Sequence, residues 1–274
     1  MTRLAIVIVS FNTRRDLEAC LRSLHASPPR LTHAIVVVDN ASSDGSVEAV
    51  RTAWPHVQVI EMGCNAGFAA ATNAGIRARD SDLVLLLNSD TIVPPGSIDR
   101  LAGALDDDPA AAAAGPRLVG LDGTVELSFG RMLSPWNEAR QKLIARGLAR
   151  RIGPVVRWFE RQVATPHHPE WVSGACLLVR RAAGAAAGWL DERFFLYGED
   201  VDFCAALRAA GHRVLFTPAA EIVHARGRSG ASDPAAARAA YRRSQIAFYR
   251  KHHPRWAGAL RLYLRARGHH PPAL

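Results

Sequence analysis

The 274-residue sequence lacks several features, and each absence excludes a class of protein. No window holds the roughly 18 consecutive apolar residues that would span a bilayer. The opening stretch MTRLAIVIVSFN turns polar after a short apolar run and has no small-residue cleavage site. The four cysteines are scattered without CxxC spacing, so neither a zinc site nor a disulfide framework is predicted. We therefore expect a cytoplasmic protein that is neither secreted nor transmembrane.

Two phosphate-binding signatures are also missing. Neither GxGxxG nor GxxxxGK[ST] occurs, which argues against a dinucleotide-binding domain and a P-loop enzyme. A nucleotidyltransferase would need a glycine-rich basic loop after its first strand to hold a triphosphate. This chain has SFNTRRD there, which contains no glycine, so that class is disfavoured.

Acidic residues are outnumbered, with 25 Asp and Glu against 34 Lys and Arg, and the formal net charge is +9. The excess lies mainly in 137–161 and 235–267, which are dominated by arginine. Such segments fit a nucleic-acid-binding module, amphipathic helices on a membrane surface, or helices that pack on a domain with solvated arginines. The first reading leaves the acidic motifs unexplained, so no nucleic-acid partner is predicted. Peripheral membrane contact stays open beside simple packing.

Apolar runs alternate with helical patterns through the first hundred residues. The runs, rich in Val, Ile and Leu, occupy 4–11, 34–39, 57–62 and 82–88. The helical patterns occupy 14–25, 46–54 and 69–79. This alternation predicts βαβ units and an α/β fold with a mostly parallel, Rossmann-like sheet flanked by helices. Ligands of such sheets bind at the carboxyl ends of the strands, and here every predicted strand ends in small or polar residues.

The second half is less regular. Strands are predicted at 110–120, 124–129, 170–181, 212–217 and 220–227, and helices at 136–161 and 198–211. The first helix should break at Gly153-Pro154. Its apolar stripe consists of Leu143, Leu148, Ile152, Val155 and Phe159.

The segment FFLYGEDVDF at 194–203 crowds Glu199, Asp200 and Asp202 beside aromatic side chains. Desolvation and repulsion make such crowding costly, and the cost is often tolerated where chemistry occurs. The carboxylates fall in the first turn of a predicted helix, where the helix dipole favours an ionised Asp200.

Seven motifs, in this order and spacing, resemble the family 2 inverting glycosyltransferases of the GT-A fold. The closest likeness is to the rhamnosyltransferase-type branch that builds bacterial cell-wall and surface polysaccharides. The motifs are IVIVSFNT, VVVDNASSDGS, NAGFAAATNAG, LLLNSDT, WVSGACLLVRR, FFLYGEDVDFCAALRAAG and EIVHARG. The resemblance implies a catalytic domain over 1–230, with nucleotide-binding and acceptor-binding parts of about 1–100 and 101–230. A basic helical extension would follow over 231–274.

The resemblance implies a pyrimidine nucleotide-sugar donor, a dTDP-sugar first and a UDP-sugar next. Asp39 would hydrogen-bond the base, with Ser10 and Asn12 beside it and Asn65 and Asn73 lining the nucleotide pocket. Capping of the following turn is the alternative role of Asp39.

LLLNSDT stands where the family carries its acidic DxD motif. The resemblance implies that Asp90 and His224 hold Mg²⁺ or Mn²⁺, while the neutral Asn88 contacts ribose or phosphate. Arg228 would meet the diphosphate, unless its loop simply faces solvent.

The same resemblance makes Asp200 the general base that deprotonates the acceptor hydroxyl, with Glu199 tuning or orienting it. Trp171, Tyr197 and Asp202 are the expected acceptor contacts. The alternatives are core packing for the aromatic residues and support of the helix start for Asp202.

These expectations describe an inverting transfer of rhamnose or a related hexose to a glycan or lipid-linked glycan acceptor, with peripheral membrane contact possible at the cytoplasmic face. The alternatives are a basic nucleic-acid-binding module and an inactive family member that binds sugar nucleotides, which the neutral Asn88 keeps open.

Overall fold

The computed structural model describes residues 2–225 and 234–267. The strands are β1 Leu4–Ser10, β2 His33–Asp39, β3 Gln58–Glu61, β4 Leu83–Asn88, β5 Thr91–Ile92, β6 Ala111–Val119, β7 Phe129–Gly130, β8 Trp171–Val172, β9 Cys176–Arg180 and β10 Arg213–His224. The helices are α1 Arg14–Ala26, α2 Ser46–Ala53, α3 Phe68–Ala78, α4 Ser97–Asp106, α5 Pro135–Ala149, α6 Gly153–Ala164, α7 Arg181–Ala186, α8 Glu199–Ala209, α9 Pro234–His252 and α10 Pro254–Ala266.

Eight strands form one sheet in the order β3-β2-β1-β4-β9-β6-β10-β5, and β7 pairs with β8 separately. The first four strands of that order run parallel to one another, as do β6 and β10. Strand β9 runs antiparallel to both β4 and β6, and β5 runs antiparallel to β10. The predicted α/β fold with a mostly parallel sheet flanked by helices is confirmed.

The sheet is buried on both faces. Strand β1 is buried along its whole length, and alternate residues belong to different cores. Ile6 and Ile8 pack in the core that contains the α1 leucines, and Val7 and Val9 in the core that contains Ile76 of α3. Full burial of an aliphatic side chain contributes about 1.5–3 kcal/mol, so these strands hold the residues at their ends firmly.

The second half differs from the sequence-based expectation in three places. The predicted strand at 170–181 is two strands, β8 and β9. The two predicted strands at 212–217 and 220–227 are one, β10, whose pairing with β6 shifts register between Thr217 and Glu221. The predicted strand at 124–129 forms regular pairing only from Phe129, as part of β7.

The helix predicted over 136–161 breaks near Gly153-Pro154, as expected, into α5 and α6. The expected apolar stripe is interrupted, because Leu143 is 65% exposed and Ile152 46% exposed. Phe159 is buried as its place in that stripe suggests.

Helices α9 and α10 make up the described part of the basic C-terminal segment, and α9 packs into the core. Ile246, Phe248 and Tyr249 of α9 are almost fully buried. Ser244 Oγ donates to the Leu196 carbonyl over 2.8 Å, which ties α9 to the loop before α8. None of the described helices is both long and apolar enough to cross a bilayer.

Candidate active site

A cleft of about 500 Å³ opens at the carboxyl ends of β1, β2 and β4. One wall is formed by residues that follow these strands, including Asn40, Asn65 and Asn88. The other wall is formed by 173–175 and 195–200, and His224 also lines the cleft. The cleft therefore lies where a parallel α/β sheet places its ligand.

The pairing of β5 with β10 brings Asp90 and His224 together although 133 residues separate them in sequence. Thr91 pairs with His224, and the Ala225 N–H donates to the Asp90 carbonyl over 2.8 Å. The short strand that follows the NSD motif thus places that motif against the end of β10.

His224 lies between two buried carboxylates, which we call the Asp90–His224–Glu126 cluster. Its Nε2 is 3.4 Å from Asp90 Oδ1, and its Nδ1 is 3.3 Å from Glu126 Oε2. Burial disfavours the charged imidazole, but the two carboxylates outweigh it and raise the pKa of His224 to about 9. Sequence reasoning missed Glu126, because nothing in TVELSF distinguishes it from an ordinary strand residue.

The side chains of this cluster have some of the features that a divalent cation requires. Asp90 Oδ1 is buried, and its contact with His224 Nε2 at 3.4 Å is an ion pair rather than a hydrogen bond, so the oxygen can still accept one. Asn88 lines the cleft beside it. Across 2–225 and 234–267, no group of three or more His, Cys, Asp or Glu side chains is arranged as a complete metal site. Asp90 and His224 therefore fit an incomplete site, one whose remaining ligands would come from a bound diphosphate.

Asp39 sits at the end of β2 with its two carboxylate oxygens in different situations. Oδ2 accepts a hydrogen bond from the Ser42 N–H over 2.9 Å, which is the capping role considered from the sequence. Oδ1 is buried and finds no hydrogen-bond partner in the described part of the chain. The carboxylate is therefore half satisfied, and Oδ1 can accept a hydrogen bond from a ligand.

The neighbouring polar residues form two small networks. The hydroxyl of Thr13 bridges those of Ser10 and Ser89, at 3.1 and 2.9 Å, and links the ends of β1 and β4. Asn40 donates to Asn65 Oδ1 over 2.9 Å and accepts from the Ala66 N–H. Asn40 was not among the predicted site residues, although its position directly after Asp39 was an available signal.

Asn12 supports this wall from outside. Its Oδ1 accepts from the Ser43 N–H over 2.8 Å, and its own N–H donates to Ser42 Oγ. Asn12 adopts a positive φ of 52°, which asparagine tolerates better than most residues. It fixes the loop after Asp39 rather than lining the cleft.

Besides Asn12 and the residues that end β1 and β2, three predicted site residues do not line the cleft, and their placements differ from the sequence-based expectation. The Asn73 amide is buried and donates to the Leu190 carbonyl and to Glu192. Trp171 is buried, and its indole N–H donates to the Arg131 carbonyl over 2.8 Å.

Asp202 is the third of them, and it is paired with α9. Lys251 Nζ lies 2.8 Å from Asp202 Oδ2, and His252 Nε2 lies 2.6 Å from Oδ1. These contacts occupy both oxygens of Asp202 and match the alternative of structural support. Arg228, expected to meet the diphosphate, lies outside the described residues.

Glu199 and Asp200 begin α8 and line the cleft, as predicted. Asp200 Oδ2 accepts from the Gly174 N–H over 2.9 Å, and Oδ1 accepts from the Val201 N–H over 2.8 Å. Glu199 is buried, and its Oε2 has no hydrogen-bond partner among residues 2–225 and 234–267.

The two carboxyl groups hold protons more tightly than ordinary acids. Burial raises the pKa of Glu199, and the Asp200 charge raises it further. Burial also raises the pKa of Asp200, and the backbone N–H donors offset this only in part. The expectation that the helix terminus favours an ionised Asp200 thus meets a larger opposing effect. A base with a raised pKa binds a proton more strongly, which suits proton abstraction.

The loop before α8 is held to the opposite wall. The Phe68 N–H donates to the Phe195 carbonyl over 2.7 Å. A Cβ on Gly67 would lie 2.7 Å from that same oxygen, so this close approach requires glycine. Tyr197 follows with φ 68° and is 40% exposed at the cleft, where it can contact a ligand.

Comparison with known proteins agrees with this geometry. The model of a family described as glycosyl transferase family 2 matches residues 5–166. An N-acetylglucosaminyl-diphospho-decaprenol L-rhamnosyltransferase of Mycobacterium tuberculosis is 34% identical, over 92% of this chain and 86% of that protein. The O-antigen biosynthesis protein RfbC of Myxococcus xanthus is 28% identical, over 83% of this chain and 18% of that protein.

Solved structures share the fold at low sequence identity. The mannosyltransferase PcManGT from Pyrobaculum calidifontis, in complex with GDP-Man and Mn²⁺, matches with a TM-score of 0.59 and 21% identity, covering 94% of this chain and 68% of that one. GalNAc-T7 with UDP, GalNAc and Mn²⁺ matches with a TM-score of 0.60 and 16% identity, covering 81% and 43%.

The sheet and these structural matches show that the chain has the GT-A type of α/β fold. Within that class, the chain belongs to glycosyl transferase family 2. The family resemblance predicted from the seven motifs is confirmed.

Proposed function

We propose that this glycosyltransferase moves L-rhamnose or a related hexose from a pyrimidine nucleotide-diphosphate donor, with inversion, to a hydroxyl of a lipid-linked glycan. The observation that carries the proposal is that Asp39, a half-satisfied acceptor, ends β2 directly before Asn40 of the cleft, whose opposite wall carries Glu199 and Asp200. The L-rhamnosyltransferase from Mycobacterium tuberculosis, whose name specifies a diphospho-decaprenol acceptor, supports the sugar and the acceptor class.

In this proposal Asp39 receives a hydrogen bond from the nucleobase through Oδ1, while Oδ2 keeps the Ser42 turn in place. Little reorganisation is required, since the oxygen is already buried and aimed by a strand that is itself buried. A dTDP-sugar is the first candidate donor and a UDP-sugar the second.

Asp200 would take the proton of the acceptor hydroxyl as its oxygen attacks the anomeric carbon opposite the leaving diphosphate. The N–H groups of Gly174 and Val201 fix the orientation of the carboxylate. Glu199, whose pKa the neighbouring Asp200 charge raises, would tune or orient the base. Tyr197 would contribute an apolar surface that excludes water, the competing nucleophile.

Asp90 and His224 would hold Mg²⁺ or Mn²⁺. Such a cation supplies Lewis-acid neutralisation of the charge on the leaving diphosphate. His224 carries a proton at neutral pH in the Asp90–His224–Glu126 cluster, so we expect metal binding to release that proton and to strengthen with rising pH.

The acceptor class implies work beside a membrane, and we propose the cytoplasmic face as the place. On this proposal the protein reaches its lipid-linked substrate from the cytoplasmic surface of the bilayer.

The test is a thermal-shift panel of dTDP, UDP, CDP and GDP, each with Mn²⁺ and with chelator. A ligand at about a hundred times its dissociation constant adds roughly 2.7 kcal/mol of stability, which is measurable. We expect dTDP or UDP to stabilise the wild type and Asp44→Asn but not Asp39→Ala. Asp44 is the matched control because it also caps backbone N–H groups, those of Arg14 and Ser46.

Transfer from dTDP-rhamnose to a lipid-linked N-acetylglucosamine diphosphate is then measured, with the anomeric configuration of the product. No response to any pyrimidine diphosphate, or an equal loss in Asp44→Asn, would overturn the assignment of Asp39. A product of retained configuration would overturn the single displacement.

A further inference from the structure

A groove between α5 and α10 lies outside the catalytic cleft and joins apolar to cationic side chains. It measures about 560 Å³. Its apolar lining includes Leu143, Trp256 and Tyr263, and its cationic lining consists of Lys142, Arg146 and Arg242. We call these six residues the α5–α10 groove.

The apolar residues of this groove are unusually exposed. Leu143 is 65% exposed, Trp256 48% and Tyr263 54%. Trp136 at the start of α5 and Leu262 on α10 are 77% and 70% exposed. Five of the eleven large hydrophobic residues that are exposed in the described chain therefore lie on two helices. Concentration of this kind marks an interaction surface rather than scattered surface residues.

The charge of the same surface is predominantly positive. Helices α5 and α10 together carry six Arg or Lys residues and a single acidic residue, Glu138. Glu138 is buried and already bound, since it accepts hydrogen bonds from Gln245 and Tyr249 over 2.7 and 2.6 Å. Its carboxylate thus contacts α9 and also lies 3.9 Å from Lys142 Nζ, while Lys142 and Arg146 remain exposed at the groove.

We propose that the α5–α10 groove docks on the surface of an anionic lipid bilayer. Tryptophan and tyrosine favour the boundary between headgroups and acyl chains, and Leu143 adds apolar area that can enter it. Lysine and arginine can keep their charge among anionic headgroups while their aliphatic stems lie along apolar surface. The complementarity in charge favours an anionic bilayer over a neutral one and over an apolar protein partner.

Docking there also gives the cleft a fixed relation to the membrane. Arg242 lines the groove from α9, and two residues further along that helix Ser244 binds the carbonyl of Leu196 in the cleft wall. One helix thus touches both the proposed membrane surface and the loop that leads to Glu199. The inference concerns binding without substrates, so it stands or falls independently of the proposed transfer.

The test is co-sedimentation of the full chain with vesicles, without donor or acceptor. The vesicles are phosphatidylcholine alone, or phosphatidylcholine with about one-third phosphatidylglycerol. We expect binding to the anionic vesicles only, with a loss of about tenfold or more in Lys142→Glu/Arg146→Glu. Arg15→Glu/Arg79→Glu is the matched control, because it makes the same change in net charge at exposed sites on α1 and at the end of α3.

The apolar contribution is tested by Leu143→Ser and Trp256→Ser, with Leu121→Ser as control at a residue that is 60% exposed elsewhere. Both groove variants should weaken vesicle binding and the control should not. Melting temperatures of all variants establish that they fold.

Three results would overturn the proposal. These are failure to bind anionic vesicles, equal binding by the charge-reversal variant and its control, and sedimentation of the free protein as a dimer that Trp256→Ser dissociates. The last result would assign the surface to a second copy of the chain.

Discussion

Two groups of carboxylates lie at or beside the cleft, and their surroundings affect their charge in opposite ways. In the Asp90–His224–Glu126 cluster an imidazolium lies within 3.4 Å of each carboxylate. In the Glu199–Asp200 pair the contacts are two backbone N–H groups on Asp200, and no ion pair is found for either residue in the described chain. The first arrangement holds charge in place, while the second favours protonation. Residue type alone therefore does not assign a role to a buried acid; its partners do.

The largest effect should come from Asp200→Asn, which removes the proposed base and keeps the hydrogen bond to an N–H group. General-base catalysis contributes about 10²–10⁴ in rate, and we expect a loss of that size in the transfer rate. The thermal shift produced by dTDP or UDP should be unchanged. Steady-state kinetics and the ligand panel measure the two quantities on the same preparation, and a loss of less than tenfold would remove Asp200 from this role.

The second largest effect is expected for His224→Gln, which removes the imidazolium from the Asp90–His224–Glu126 cluster. The free energy of unfolding in urea should fall by about 3 kcal/mol, because the buried Asp90 and Glu126 then lose the imidazolium that lies between them. The double variant His224→Gln/Glu126→Gln should recover part of the loss, since only one carboxylate remains. Both are measured with chelator present. If the double variant were no more stable than the single one, the charge pairing would not be the cause.

Glu199→Gln should raise the free energy of unfolding at high pH, by less than His224→Gln lowers it. The folded state raises the pKa of Glu199 above its unfolded value, so the folded protein favours the protonated form of this side chain. At low pH Glu199 is protonated in both states, and its burial costs little stability. As pH rises above the ordinary glutamate range of about 4, the unfolded chain ionises Glu199 more readily than the folded one, and the free energy of unfolding falls. Glu199→Gln should therefore be more stable than the wild type at pH 8 by about 1 kcal/mol or more, and nearly equal to it at pH 4.

Urea unfolding at both pH values measures this difference. Glu48→Gln on α2 is the control, since Glu48 is exposed. Equal stability of the wild type and Glu199→Gln at pH 8 would contradict the raised pKa.

The smallest expected effect concerns Asp202. It lies within one turn of Glu199 and Asp200 but, unlike them, is paired with Lys251 and His252. Lys251→Met should cost about 1 kcal/mol, because His252 remains as a partner of this buried carboxylate. Arg51→Met breaks an exposed pair with Glu61 and should cost less. If Lys251→Met lowered the transfer rate as strongly as Asp200→Asn, Asp202 would belong with the reacting groups after all.

The first hundred residues could be predicted closely from the sequence. The four apolar runs correspond to β1 to β4 within about one residue at most ends. The agreement is close because strands buried on both faces have nearly continuous apolar sequences. The residues at the ends of these strands follow from the same pattern. Asp39, Asn65, Asn88 and Asp90 were all recognisable in this way.

The rest of the chain could not be predicted as well, because its local patterns depend on distant partners. Trp171 matched a sugar-binding residue in type, yet its indole is committed to the Arg131 carbonyl. Glu126 gave no signal, since its importance comes from His224, which is 98 residues away. The exposure of Leu143 likewise depends on which elements pack against α5, and the sequence of α5 alone does not give that information.

The bond between Ser244 and Leu196 also bears on the order of synthesis. Every strand of the sheet precedes residue 225, so a chain emerging from the ribosome carries the complete sheet before α9 is made. The loop that leads to Glu199 gains its contact with α9 only after that. The growing chain can therefore form the sheet, with Asp39 at the end of β2, before α9 is available to brace the loop that leads to Glu199.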